Sequence, residues 1–88
     1  MKITVTQEHI NEARDLLNSD QYVSVYCKCP IALALQEAMN DPNWRVGGEC
    51  IWRAGFMNAI VLPKEASTFI FKFDNNEEVK PFSFEVNI

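Results

Sequence analysis

The period of the hydrophobic pattern changes several times along the chain, and each change marks an element. Residues 2–6, Lys-Ile-Thr-Val-Thr, alternate polar and apolar positions and are rich in β-branched side chains. That pattern predicts a half-buried strand. The period then becomes helical: Ile10, Ala13, Leu16 and Leu17 recur on one stripe, which predicts an amphipathic helix over residues 7–18. Thr6 suits the cap of that helix, and Glu8 lies in the first turn, where the helix dipole favours an acid. Asn18-Ser19-Asp20 reads as a stop. Residues 21–26, Gln-Tyr-Val-Ser-Val-Tyr, have the composition of a short strand. A buried loop accounts for them equally, so strand and loop both stand for residues 20–29.

Pro30 suits the first turn of a helix, where its missing N–H costs nothing. From Ile31 to Met39 only Gln36 and Glu37 are clearly polar. A helix apolar on most sides belongs in the centre of a domain, so this is the expected core helix. Asn40-Asp41-Pro42-Asn43 ends it. Trp44-Arg45-Val46 and Glu49-Cys50-Ile51-Trp52-Arg53 flank Gly47-Gly48, a dipeptide suited to a tight hairpin turn. Residues 56–62 form a third apolar run after Ala54-Gly55, and together the three runs predict an antiparallel meander. Pro63 then opens an element in which Ala66, Phe69, Ile70 and Phe73 fall at helical spacing. Phe69, Phe71 and Phe73 also alternate, but the opening proline and the Asp74-Asn75-Asn76 stop favour a helix with Phe71 on its edge. Alternation returns from Phe82 onward as a terminal strand, with Pro81 at its start or on a sheet edge. The expected fold is α+β in a single domain over residues 1–88, with an antiparallel sheet of about four to five strands and about three helices.

Composition narrows the function classes. The chain has 88 residues, 48% hydrophobic and 23% charged, which is one modest core and not two. Twelve acidic against eight basic residues give a net charge of −4, a balance that argues against a nucleic-acid binder, which normally shows a basic face. The acids are scattered, unlike those of a DNA mimic. No run approaches the ~18 consecutive apolar residues of a membrane span, and the Met-Lys-Ile-Thr-Val-Thr start lacks a signal peptide's apolar core. A cytoplasmic location is the expectation. Three cysteines are an odd count for a disulfide framework, and Cys27 and Cys29, one residue apart, are poorly placed to bridge each other.

Several local strings stand out along the chain: Val5-Thr6-x-Glu8-His9-Ile10, Cys29-Pro30-Ile31-Ala32-Leu33-Ala34, Leu62-Pro63-x-Glu65-Ala66, Phe69-Ile70-x-x-Phe73-Asp74 and Pro81-Phe82-x-Phe84. In these strings the chain resembles a family of short, uncharacterised proteins encoded by phages and prophages. The strings span most of the chain, and each is short and largely structural. The resemblance implies a phage accessory protein acting in the cytoplasm of a bacterial host, and it carries no activity that transfers a catalytic residue. Members of the family vary where this chain has Cys27-x-Cys29 and a long connection over residues 18–26.

Four chemistries are worth weighing. Cys27, Cys29, Cys50 and His9 are plausible zinc ligands by type, but a single residue between two cysteines holds a tetrahedral site poorly, and small buried thiols explain them as well. Cys29, at a helix N-terminus beside Lys28, has neighbours that favour a thiolate. Nucleophilic catalysis also needs a base, and nothing brings His9, the sole histidine, to Cys29; His9 reads more simply as a capping or partly buried first-turn residue. The same N–H groups with Lys28, and Arg45 and Arg53 if their strands place them on one face, would form an anion site; solvated cations whose stems cover tryptophan rings are the bland alternative. Trp44, Trp52, Phe56 and Met57 interleaved with Arg45 and Arg53 have the composition of an interaction surface, against the alternative that the tryptophans fill the core. Alternation favours Trp52 for the core and leaves Trp44 open. Enzyme motifs such as a Gly-rich phosphate loop, His-Glu-x-x-His or Gly-x-Ser-x-Gly are absent from the sequence.

The expected function is a non-enzymatic phage or prophage accessory protein that binds a host bacterial protein, with a component of bacterial defence as the conjectured target. Trp44, Arg45, Arg53, Lys28 and Cys29 are the candidate binding residues, with no catalytic residue, metal or cofactor. The alternative is a protein that sequesters a small nucleotide-like anion, formed as a homo-oligomer because one subunit this small offers little concave space. A thiol enzyme or zinc module comes third. No direct nucleic-acid or membrane partner is expected.

Overall fold

The computed structural model describes residues 1–18, 29–55 and 58–87. The elements are β1 (Lys2–Val5), α1 (Gln7–Asn18), α2 (Pro30–Met39), β2 (Trp44–Val46), β3 (Cys50–Arg53), β4 (Ile60–Val61), α3 (Lys64–Asp74) and β5 (Phe82–Glu85). Among the described residues three helices and five strands give the expected α+β class. The strands divide into two antiparallel sheets, β1-β5 and β2-β3-β4. The strand or loop expected over residues 21–26 lies outside the described residues, as do Phe56 and Met57 of the third apolar run.

α2 is the hub. Pro30, Ile31, Ala32, Ala34 and Leu35 are buried, and the helix packs against α1, β1 and β2, so it touches both sheets. Its C-terminus and that of α3 are built alike. Asn40 (φ 50°) and Asn76 (φ 60°) take the left-handed conformation that asparagine tolerates better than most residues. After α2, the Asp41 N–H donates to the Gln36 carbonyl at 3.0 Å and the Asn40 N–H to that of Glu37 at 3.2 Å. After α3, the Glu77 N–H donates to Lys72 at 2.9 Å and the Asn76 N–H to Phe73 at 3.0 Å. Both pairs are Schellman closures that satisfy carbonyls the helix end would otherwise leave open.

β1 and β5 pair with Ile3 opposite Phe84 and Val5 opposite Phe82. Ile3, Val5 and Phe84 face the core, while Lys2 meets Glu85 on the outside and the Ser83 hydroxyl donates to Thr4 Oγ1 at 3.2 Å. Phe69 of α3 stacks on Phe82 at 4.7 Å, and Phe82 on Phe84 at 5.6 Å, which ties α3 to the two-stranded sheet. Arg14 fastens α1 to the end of α3. Its guanidinium lies 4.8 Å over the Phe73 ring, and it donates to Asn76 Oδ1 at 3.2 Å and to the Glu77 carbonyl at 2.8 Å.

The hairpin forms one residue later than Gly47-Gly48 implies. Val46 pairs with Ile51, and the Gly47 N–H donates to the Cys50 carbonyl at 2.8 Å, so Gly48-Glu49 is the two-residue loop. Gly47 matters in the ladder for a different reason. A Cβ there would lie 3.1 Å from Trp52 Cζ3, so the missing side chain makes room for the indole.

The position of α2 predicts the cost of thinning it. Leu35 is 0% exposed, and Leu35→Ala is expected to lower the unfolding free energy by about 2–5 kcal/mol in a denaturant titration. A loss well below 1 kcal/mol would show that the helix is not what holds the two sheets together.

Candidate functional site

Among the described residues, His9 is the buried polar side chain, and it is engaged on every side. Thr6 Oγ1 accepts from the His9 backbone N–H at 3.3 Å, and the Thr6 N–H donates back to His9 Nδ1 at 3.0 Å. This is a capping box in which an imidazole takes the place usually held by glutamate or glutamine. Because Nδ1 accepts the Thr6 N–H, the ring proton sits on Nε2, which lies 3.0 Å from Glu37 Oε2 on α2. The sequence reads His9 as a first-turn residue, capping or partly buried; in the fold it caps the helix and is buried. Both ring nitrogens are engaged, and neither is presented to a nucleophile. Around it a shallow cleft of about 320 Å³ is lined by Glu12, Gln36, Glu37, Asp41 and Pro42.

Cys29 precedes α2 with extended backbone (φ −103°, ψ 140°) and is 6% exposed. Burial pushes its thiol up to about 11; the nearby Ile31 and Ala32 N–H groups pull against this without forming a cap hydrogen bond, and the Asp74 carboxylate adds to the rise. The thiolate expected from the helix N-terminus is therefore disfavoured, because lost hydration outweighs the dipole. Lys28 and Cys27 lie outside the described residues. Among the described residues no three His, Cys, Asp or Glu side chains gather where a metal ion would fit.

The loop between α2 and β2 is held by side chains. Asp41 Oδ1 accepts the Asn43 N–H at 2.9 Å, and Oδ2 lies 2.7 Å from Arg53 Nε. The Asn43 N–H above all, with the Arg53 guanidinium beside it, holds the Asp41 carboxyl below its ordinary range against an opposing desolvation. Gln36 Nε2 donates to the Trp44 carbonyl at 3.0 Å, and Arg45 Nη1 donates to the Pro42 and Trp44 carbonyls at 2.8 and 3.1 Å.

The ladder sorts the expected binding residues onto two faces. Trp44, Val46 and Ile51 are buried on the inner face. Arg45 lies directly opposite Trp52, and Cys50 opposite Val61, on the outer face. Trp44 is 7% exposed and fills core, so it offers a partner little surface; Trp52, favoured for the core by alternation, is the half-buried indole outside. The reversal follows from the register, because a strand's faces are assigned by what covers them and not by its own alternation. Arg45 and Arg53 do not converge: Arg53 lies opposite Trp44 in the ladder and reaches Asp41. Val61 is 75% exposed and Phe71, on the outer side of α3, is 67% exposed. The sequence pattern singles out neither His9 with Glu37 nor Val61. The Thr6-x-x-His9 spacing was the available signal for the first, whereas Val61 stands within an apolar run that gives no sign of which side is covered.

No protein-family model, no curated protein and no solved structure matches this chain.

Two titrations check these environments. With its folded pKa raised above the unfolded value of 9.0 toward 11, Cys29 adds stability below pH 9 that is lost as pH rises toward 11. Cys29→Ala should flatten that alkaline decline in melts taken across the range, and at pH 8 a thiol reagent should spare Cys29 in the native protein and label it on unfolding. Rapid native labelling of Cys29 contradicts the assignment. Asp41, with its pKa lowered, stabilises the fold above about pH 4 and loses that contribution as pH falls. Asp41→Asn should be less stable than wild type at pH 7, with the gap closing toward pH 3; a gap that stays constant with pH would count against the ionic part of the contact.

Proposed function

We propose that this chain is a non-enzymatic accessory protein of a phage or prophage that binds a host bacterial protein through the outer face of the β2-β3-β4 sheet. The observation that carries the reading is the composition of that face: an exposed valine, a half-buried tryptophan and cysteine, and an arginine directly across from the tryptophan. Tryptophan and arginine are the side chains most often dominant in binding energy, and exposed valine adds apolar surface that water does not favour. His9 with both nitrogens engaged and Cys29 held as a neutral thiol favour binding over catalysis. The phage origin and a bacterial defence component as target come from the sequence resemblance. Sequestration of a small anion is the weaker reading, since Arg45 and Arg53 do not share a face.

The test compares wild type with Val61→Asp and Trp52→Ala as baits in bacterial lysate, each checked for an unchanged melting profile. The expected result is one stoichiometric host protein held by wild type and lost from both variants. A host protein retained equally by all three baits, or nothing that distinguishes them, overturns the reading.

A further inference from the structure

Arg45 is held in one orientation before any partner arrives. Its Nη1 donates to the Pro42 and Trp44 carbonyls at 2.8 and 3.1 Å, and Nη1 is the nitrogen on the same side as Cδ. The opposite edge of the guanidinium, Nε with Nη2, is a planar two-donor fork of the kind that matches a carboxylate bidentately. Among the described residues no acceptor meets that fork. The carboxylate of the adjoining loop, Asp41, is already engaged by Arg53 and the Asn43 N–H. Beside Arg45 on the same face lie Trp52, directly opposite in the ladder, and beyond it Cys50 with the exposed Val61.

We propose that this face recognises a protein segment in which an aspartate or glutamate lies next to a large apolar residue. The carboxylate seats on the Nε/Nη2 fork of Arg45, and the apolar side chain packs against Trp52 and Val61. The proposal rests on the reading of this face as a docking surface and specifies its partner. Charge complementarity selects a carboxylate over a phosphate. Among the described residues the face carries one oriented cation, set beside Trp52, Cys50 and Val61; Arg53 is committed elsewhere, and a chain of net charge −4 repels polyanions. A single carboxylate needs only the fork, and the apolar neighbour supplies contact that a free anion lacks. Because the guanidinium is already ordered by two backbone carbonyls, little side-chain freedom is lost when the carboxylate arrives.

The experiment selects random linear peptides on the full chain from a display library, then measures the best binder by titration. The expected binder carries an acidic residue adjacent to a leucine, isoleucine or aromatic side chain. Changing that acid to its amide should weaken binding about tenfold, and Arg45→Lys, which keeps the charge but loses the fork, should weaken it by a similar factor, with the two changes together no worse than either alone. The amide peptide leaves the protein untouched, so the result does not depend on how Arg45→Lys folds. Peptides that bind without an acid yet are lost on Val61→Asp overturn the fork while leaving the docking face in place. Peptides indifferent to both Arg45→Lys and Val61→Asp overturn the face as well. A library that yields no binder, or inorganic phosphate that competes through Arg45 as strongly as the peptide binds, also overturns the proposal.

Discussion

Five of the first six positions of α2, namely Pro30, Ile31, Ala32, Ala34 and Leu35, are withdrawn from water. A helix that is apolar on so many sides cannot be covered by one neighbour, and the fold answers with three: α1, the sheet begun by β1 and the sheet begun by β2. The dependence runs both ways. A two-stranded ribbon and a three-stranded sheet of strands this short are marginal alone, and each gains stability only by laying its apolar face on something. Full burial of a leucine or isoleucine contributes roughly 1.5–3 kcal/mol, a large share of the 5–15 kcal/mol typical of a whole domain. The central helix is therefore what makes the two small sheets one molecule.

That same packing determines what faces outward. The left-handed turn at Asn40 sends the chain into a loop pinned by Asp41 with Arg53, by Gln36 on the Trp44 carbonyl and by Arg45 on the Pro42 carbonyl. These contacts hold the loop that leads from α2 into β2, along which Trp44 is buried in the core and its neighbour Arg45 lies on the outer face. The indole that remains outside leans over a glycine, and the surface that results is a consequence of the core and not an independent feature. At the other end of the helix, burial raises the Cys29 thiol against the opposing pull of the Ile31 and Ala32 N–H groups, so the helix start does not yield a thiolate.

The α+β class, the helix positions, the core role of α2 and both asparagine stops were legible because each depends on local periodicity or local turn chemistry. Phe71 was legible as a helix-edge residue for the same reason, and its exposure agrees. What the pattern could not resolve was set by contacts distant in sequence. Alternation assigns Trp44 and Trp52 to opposite faces when the register is known, but not which face is covered. The division of five strands into two sheets depends on β1 finding β5. His9 meeting Glu37 depends on α1 lying against α2, and the fate of Cys29 depends on how much chain covers it. The outer face with Arg45 was legible in composition and illegible in geometry, since the register that sets Arg53 opposite Trp44, away from that face, is fixed by pairing and not by local pattern.

The pairing of β1 with β5 has a kinetic consequence. Met1 and Val86 exchange backbone hydrogen bonds in both directions across 85 positions of sequence, while the Gly47–Cys50 contact closes a loop of a few residues. Bringing the distant pair together from an open chain costs roughly 3 kcal/mol more in chain entropy than closing the hairpin, and the pair's own hydrogen bonds offset that cost only once they meet. The hairpin and the helices can therefore form early on local interactions, whereas the two-stranded ribbon must wait until α2 has gathered the chain around it. Contacts this distant in sequence raise the mean separation of contacting residues, so folding should be slower than the protein's length and helix content alone would indicate.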